Sequence, residues 1–151
     1  GKNLVSKHVR TPEKYGLRKR MKKRRNWDFA LIYIPDSLLP SDFKWENEFT
    51  LPQKSSNKEK NIKVAGYPAD SEEGFDGSKL FYQMGQIDIK DKYYKHDFLT
   101  AGGNSGSPVW FEVDKKNTIL GIHTFSGSGT LLDDEDLKII RNWMVELKSM
   151  N

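Results

Sequence analysis

Apolar runs of strand length recur along the chain, each bounded by Gly, Pro, Asn or Asp, the punctuation of a β protein. Phe29-Ala30-Leu31-Ile32-Tyr33-Ile34 is continuous and closed by Pro35, which predicts a buried strand. Ile62 to Tyr67 alternates, with Ile62, Val64 and Gly66 on one side, and stops at Pro68; Leu80 to Ile89 predicts another strand. Val109 to Val113 and Thr118 to Thr124 flank Asp114-Lys115-Lys116-Asn117, a polar stretch of hairpin-turn character. Residues 53–61 read as a polar loop. Only the end reads as helix: Leu137, Ile139, Ile140, Trp143, Met144 and Leu147 recur at three- and four-residue spacing. Asp133, Asp134, Glu135 and Asp136 just before them suit a helix N-terminus, by capping and by the macrodipole. No EF-hand spacing accompanies them, so capping is preferred to a calcium site. With no internal repeat, the pattern is all-β with one C-terminal α-helix, a barrel or a sandwich.

Composition narrows this. The 151 residues suffice for one domain with a core. An aromatic content of 12%, with four Trp, argues for real packing despite 30% charged residues. There is no cysteine, hence no disulfide framework, and no apolar run nears the ~20 residues that span a bilayer. The chain starts without Met or a signal-peptide pattern, so it begins after processing or within a longer gene product. Arg18 to Arg25 reads RKRMKKRR, seven cations in eight residues; without them the net charge of +4 becomes −3. That run is a solvated loop, a polyanion-binding patch or a basic cleavage site.

Chemistry concentrates at Gly102-Gly103-Asn104-Ser105-Gly106-Ser107-Pro108. Glycines around a serine leave the backbone free to converge amides on one point, as acyl transfer needs beside a nucleophilic hydroxyl. A plain Gly/Ser turn has the same composition. Ser105 leads at once into the Val109–Thr124 hairpin, and far upstream Asp28 directly precedes a predicted strand. Asp28 is either a strand-edge turn residue or the acid that orients a histidine in a Ser-His-Asp triad. Gly127-Ser128-Gly129 is too short a glycine pattern for a nucleotide site, and three scattered histidines do not make a zinc site.

The heptapeptide Gly102–Pro108 resembles the nucleophile motif of trypsin-like serine peptidases, in the form of the glutamyl-endopeptidase branch. Trp27-Asp28-Phe29-Ala30-Leu31-Ile32-Tyr33-Ile34 resembles the segment with that family's triad aspartate, at a family-like separation of 77 from Ser105. Val64-Ala65-Gly66-Tyr67-Pro68 looks like its GYP strand, and Ile119-Leu120-Gly121-Ile122-His123 like its GIH strand. With the terminal helix, these ordered matches cover roughly residues 5–148. The resemblance implies a trypsin-like double β-barrel, its first barrel incomplete, as a single domain over 1–151. Within it, 1–52 would be the remainder of the first barrel, 53–132 the second barrel and 133–149 the helix. It implies a serine endopeptidase working through an acyl-enzyme and cleaving after acidic residues, outside the cell. Ser105 would be the nucleophile, Asp28 the orienting acid, the amides of Gly103 and Ser105 the oxyanion hole, and Thr100 and His123 the pocket for the side chain before the scissile bond. Asn104 stands where many trypsin relatives hold an aspartate for the activated N-terminus.

The base is missing from this list. The resemblance gives His123 to the pocket, and His96 reads as an ordinary loop histidine. His8 lies 20 residues from Asp28, whereas the family places roughly twice that between base and acid. Val5 through Pro12 with Tyr15 instead resemble the strand and P-x-x-Y turn leading to the aspartate. The expectation is therefore a histidine upstream of Gly1: this chain is a fragment, is completed by another chain, or is a pseudopeptidase. No metal and no organic cofactor are expected. The expected partner is a polypeptide substrate, not nucleic acid. The alternative from another class is a polyanion-binding module using Arg18 to Arg25.

Overall fold

The structure, a computed structural model, describes residues 8–16, 25–44, 49–55, 61–70 and 74–150. The basic run therefore lies outside the described residues apart from the backbone of Arg25, and so does most of the polar loop 53–61.

Two sheets form. In the small one, β1 (His8–Arg10) pairs antiparallel with β2 (Leu31–Tyr33). Between them lie a short helix, α1 (Glu13–Gly16), and a 3-10 turn at Arg25–Trp27, neither foreseen from periodicity. β2 is shorter than the apolar run from Phe29 to Ile34, and it is not fully buried: Phe29 enters the core, but Ile32 is 59% exposed. Among the described residues β2 has one neighbouring strand, β1, and Ile32 is the exposed large apolar residue of the run.

The large sheet contains β3 (Phe49–Thr50), β4 (Ile62–Gly66), β5 (Phe81–Gly85), β6 (Ile87–Lys90), β7 (Tyr93–His96), β8 (Pro108–Val113), β9 (Lys116–Phe125) and β10 (Ser128–Leu131). Its order is β5-β4-β8-β9-β10-β7-β6, with β3 parallel to β9. β5 and β6 thus end opposite edges, yet only Gln86 separates them. Two Cα steps reach roughly 7 Å at most, so the sheet must curl until its edges meet. The single strand expected over Leu80–Ile89 is broken at that corner.

Inside the curl pack Ile62, Val64, Tyr94, Val109, Phe111, Leu120 and Leu131, with Ile87, Ile89 and Phe98 beside them. The expected alternation of Ile62, Val64 and Gly66 is seen as buried positions. Tyr94 takes its volume from two glycines: a Cβ on Gly129 would fall on its Oη and Cζ, and one on Gly121 would come within 3.1 Å of Cε1. The β8–β9 turn is tighter than foreseen, because the strands run to Val113 and from Lys116. Asp114 and Lys115 take φ of 50° and 62°, the left-handed pair a two-residue hairpin requires.

A second core lies between the sheets and the C-terminal helix α2 (Asp134–Lys148). Phe29, Leu132, Leu137 and Ile140 fill it, against Leu51, Ile119, Ile122 and Trp143. Burying side chains such as Leu137 and Leu147, each 1% exposed or less, contributes about 1.5–3 kcal/mol apiece. The expected cap is present and reciprocal: Asp133 Oδ1 accepts from the Asp136 amide at 2.9 Å, and Asp136 Oδ2 from the Asp133 amide at 3.3 Å. Ion pairs Arg10–Glu146, Lys14–Glu135 and Lys92–Asp133 tie the small sheet, α1 and the β6–β7 turn to this helix and its N-cap. No helix among the described residues is long and apolar enough to cross a membrane.

Candidate functional site

The serine loop is held from both sides. Gly103 and Gly106 have φ of 91° and 88°, which L side chains rarely adopt. A Cβ on Gly103 would also press on the Tyr67 carbonyl and Ala69. Gly66, at the end of β4, backs the loop: a Cβ there would lie 2.6 Å from Asn104 Oδ1 and collide with Ser107 Oγ. Asn104 and Ser107 are buried, and Ser105 between them is exposed.

Backbone hydrogen bonds divide the loop's amides into two sets. Those of Asn104, Gly106 and Ser107 donate to Ala101, His123 and Asn104 carbonyls at 3.2, 2.8 and 3.1 Å. Those of Gly102, Gly103 and Ser105 donate to no backbone carbonyl among the described residues. All three residues are exposed, which leaves these donors open beside the Ser105 hydroxyl, as an oxyanion site requires.

Asp28 meets Ser105 across a cavity of about 410 Å³. Thr11, Tyr15, Asp28 and Ile32 line it on one side, and Ser105, Ile122 and Thr124 on the other. Burial raises the Asp28 carboxyl above its usual range. Thr124 Oγ1 is buried with no hydrogen-bond partner among the described residues. None of the lining residues is a histidine. His8 lies on β1 opposite Tyr33, rings edge to face at 6.3 Å, and is not part of the cavity lining.

Thr100 and His123 lie outside that cavity. The stretch before Thr100 is pinned by the Gln83 side chain, which accepts from the Leu99 amide at 3.0 Å and donates to its carbonyl. β9 carries an extra residue against β8 near Leu120, and another against β10 near Thr124. These bulges reset which face each side chain meets. Ile122 and Thr124 consequently line the cavity, while His123, 2% exposed, packs against His96.

His96 corrects the sequence reading. It is not a loop residue but the end of β7, paired with Ile87 and 7% exposed. Its ring stacks on Phe98, centroids 4.7 Å apart. Its Nε2 lies 3.1 Å from His123 Nδ1. Burial lowers both imidazoles, His123 to about 4 with the His96 charge as a second cause. The alternation Tyr94, His96 within Tyr93-Tyr94-Lys95-His96 carried the signal for this strand. Among the described residues, no group of three His, Cys, Asp or Glu could hold a metal ion.

Known proteins resemble the chain in part. No family model matches it. Glutamyl endopeptidases of Staphylococcus aureus strains MW2 and NCTC 8325 / PS 47 are 41% identical over 64 residues, 42% of this chain. That match takes in 17% of each relative's own length. A solved structure of a Glu endopeptidase in complex with MPD superposes with a TM-score of 0.62 at 19% identity, covering 89% of this chain and 60% of that one.

Proposed function

Because the chain has a glutamyl-endopeptidase-like, trypsin-like fold, we propose that it works as a serine endopeptidase. Ser105 attacks the scissile carbonyl to form an acyl-enzyme, and Asp28 orients and stabilises the protonated base. The amides of Gly103 and Ser105 hold the oxyanion. The observation that carries this reading is the combination of Asp28 and Ser105 on one cavity with open amides in the serine loop. None of His8, His96 and His123 lines that cavity, which supports a base supplied by a histidine on a further stretch of polypeptide. The division into the remainder of a first barrel, a second barrel and a terminal helix belongs to the same proposal, with β3 grouped with the second barrel because it pairs with β9. So does action outside the cell on polypeptide substrates.

Specificity for an acidic side chain before the scissile bond follows if Thr100 and His123 receive it. A hydroxyl and an imidazole N–H both donate to a carboxylate, which an apolar pocket would leave unpaired. The test is labelling of the intact protein with a fluorophosphonate serine probe, followed by a peptide-library cleavage profile. Ser105→Ala should abolish labelling without altering the circular dichroism, and cleavage should follow Glu ahead of Asp. Equal labelling of both forms would remove Ser105 from its role, and preference for Lys, Arg or large aromatics would remove the acidic pocket.

A further inference from the structure

His96 and His123 form a hydrogen-bonded chain whose direction is fixed at one end. The Phe98 backbone amide donates to His96 Nδ1 at 3.1 Å. An amide N–H cannot accept, so Nδ1 must offer its lone pair, and the proton of a neutral His96 ring resides on Nε2. That Nε2–H faces His123 Nδ1 at 3.1 Å and can only donate to it. His123 Nδ1 is therefore the acceptor, and its own proton belongs on Nε2.

We propose that His96 is a positioning residue that locks His123 in the Nε2–H tautomer, so that His123 presents a fixed, neutral N–H donor to the acidic side chain bound before the scissile bond. This deepens the acidic-pocket reading and rests on it. An imidazole free to choose its tautomer would offer a lone pair part of the time, and a lone pair repels a carboxylate. Stacking on Phe98 and packing beside Tyr94 hold the His96 ring in place. Protonating His123 would set its Nδ1–H against His96 Nε2–H, which agrees with the neutral state that burial favours. Of the charged groups near His96, Asp97 favours its protonated form, and Asp88 and Lys95 line the depression beside it with Asp97. A protonated His96 would still donate through Nε2 but would lose the Phe98 bond.

The test is nitrogen NMR of ¹⁵N-histidine-labelled intact protein at neutral pH, together with kcat/KM on matched peptides with Glu or Gln before the scissile bond. Wild type should show His123 with pyrrole-type Nε2 and pyridine-type Nδ1. His96→Phe keeps a ring but removes the donor; it should give mixed tautomers at His123 and lower the Glu/Gln selectivity at least tenfold, with the Gln peptide little changed. His96→Gln, whose amide can reach the same position, should restore both readouts. If His96→Phe does not fold, His96→Asn, too short to reach His123, carries the same expectation. A single Nε2–H tautomer and unchanged selectivity in the variant lacking the donor would overturn the proposal. Mixed tautomers already in the wild type would do so too. A locked tautomer in a protein without Glu preference would instead sink the acidic-pocket reading, and with it the role of the lock in recognition.

Discussion

Asp28 and Ser105, 77 positions apart in sequence, line one cavity, the acid from the small sheet's side and the serine from the large sheet's rim. Burial makes the Asp28 carboxylate costly, because it raises the group's pKa in the folded state. Such a group lowers stability once pH exceeds its unfolded value, and the deficit is complete above the folded value. Asp28→Asn should therefore melt at or above the wild-type temperature at pH 7, with the difference closing as pH falls toward 4. In the active protein the same change should lower kcat by roughly 10⁴-fold, the effect of the matching change in a trypsin-type triad. Loss of stability at pH 7 would show that the carboxylate has a structural partner.

His8 gives a separate check on the missing base. It faces Tyr33 across β1 and β2 and does not reach the lining of the Asp28–Ser105 cavity. His8→Ala in the intact protein should leave fluorophosphonate labelling of Ser105 within twofold of wild type. Loss of labelling with an unchanged melting temperature would make His8 the base.

Local signals made much of this fold legible. Ile62–Gly66, the β8–β9 hairpin and the capped helix stand where periodicity and turn residues put them, because each is specified by its own neighbours in sequence. Strand β10 was not legible. β10 is Ser-Gly-Thr-Leu, with no alternation of its own, and its pairing with Tyr93–Lys95 joins residues far apart in sequence. His96 was misread for the same reason: its partner His123 is 27 residues away and two strands across. The facing of His123 depends on bulges in β9, and a bulge has no signature in a strictly alternating pattern. At the site, motif order pointed to Ser105 and Asp28, but only the structure shows which amides of the serine loop are committed to backbone carbonyls, those of Asn104, Gly106 and Ser107.

Gly129 should tolerate no side chain. A Cβ there would overlap Tyr94 and also the backbone carbonyl of Ile122, which cannot swing away. Gly129→Ala should cost about 1–3 kcal/mol, the usual range for overpacking, toward its upper end. Tyr94 Oη is buried without a hydrogen-bond partner among the described residues, so Tyr94→Phe alone should be neutral or stabilising. Combining the two should recover part of the Gly129→Ala loss, measured by urea unfolding as a favourable coupling. Strict additivity would mean that the Ile122 carbonyl, not Tyr94, sets the cost.

Asp136 sets two effects against each other at the start of α2. A carboxylate in the first turn is normally stabilised by the macrodipole and by amide donors, and Asp136 Oδ2 does accept from the Asp133 amide. Yet Asp136 is fully buried, its Oδ1 has no hydrogen-bond partner among the described residues, and Asp133 lies beside it. Burial first, then the Asp133 charge, raises its pKa to about 7. Burial therefore outweighs the dipole. Below the unfolded pKa of 3.8, both states are protonated and the native state keeps its full stability. As pH rises toward 7 the unfolded chain releases this proton first, so stability falls across that window and then levels off. Asp136→Asn keeps an oxygen to accept from the Asp133 amide but has no charge to bury. Its melting temperature should match wild type near pH 4, exceed it increasingly up to pH 7, and hold a constant lead above. A variant less stable than wild type at pH 8 would show that the charged cap outweighs the burial penalty.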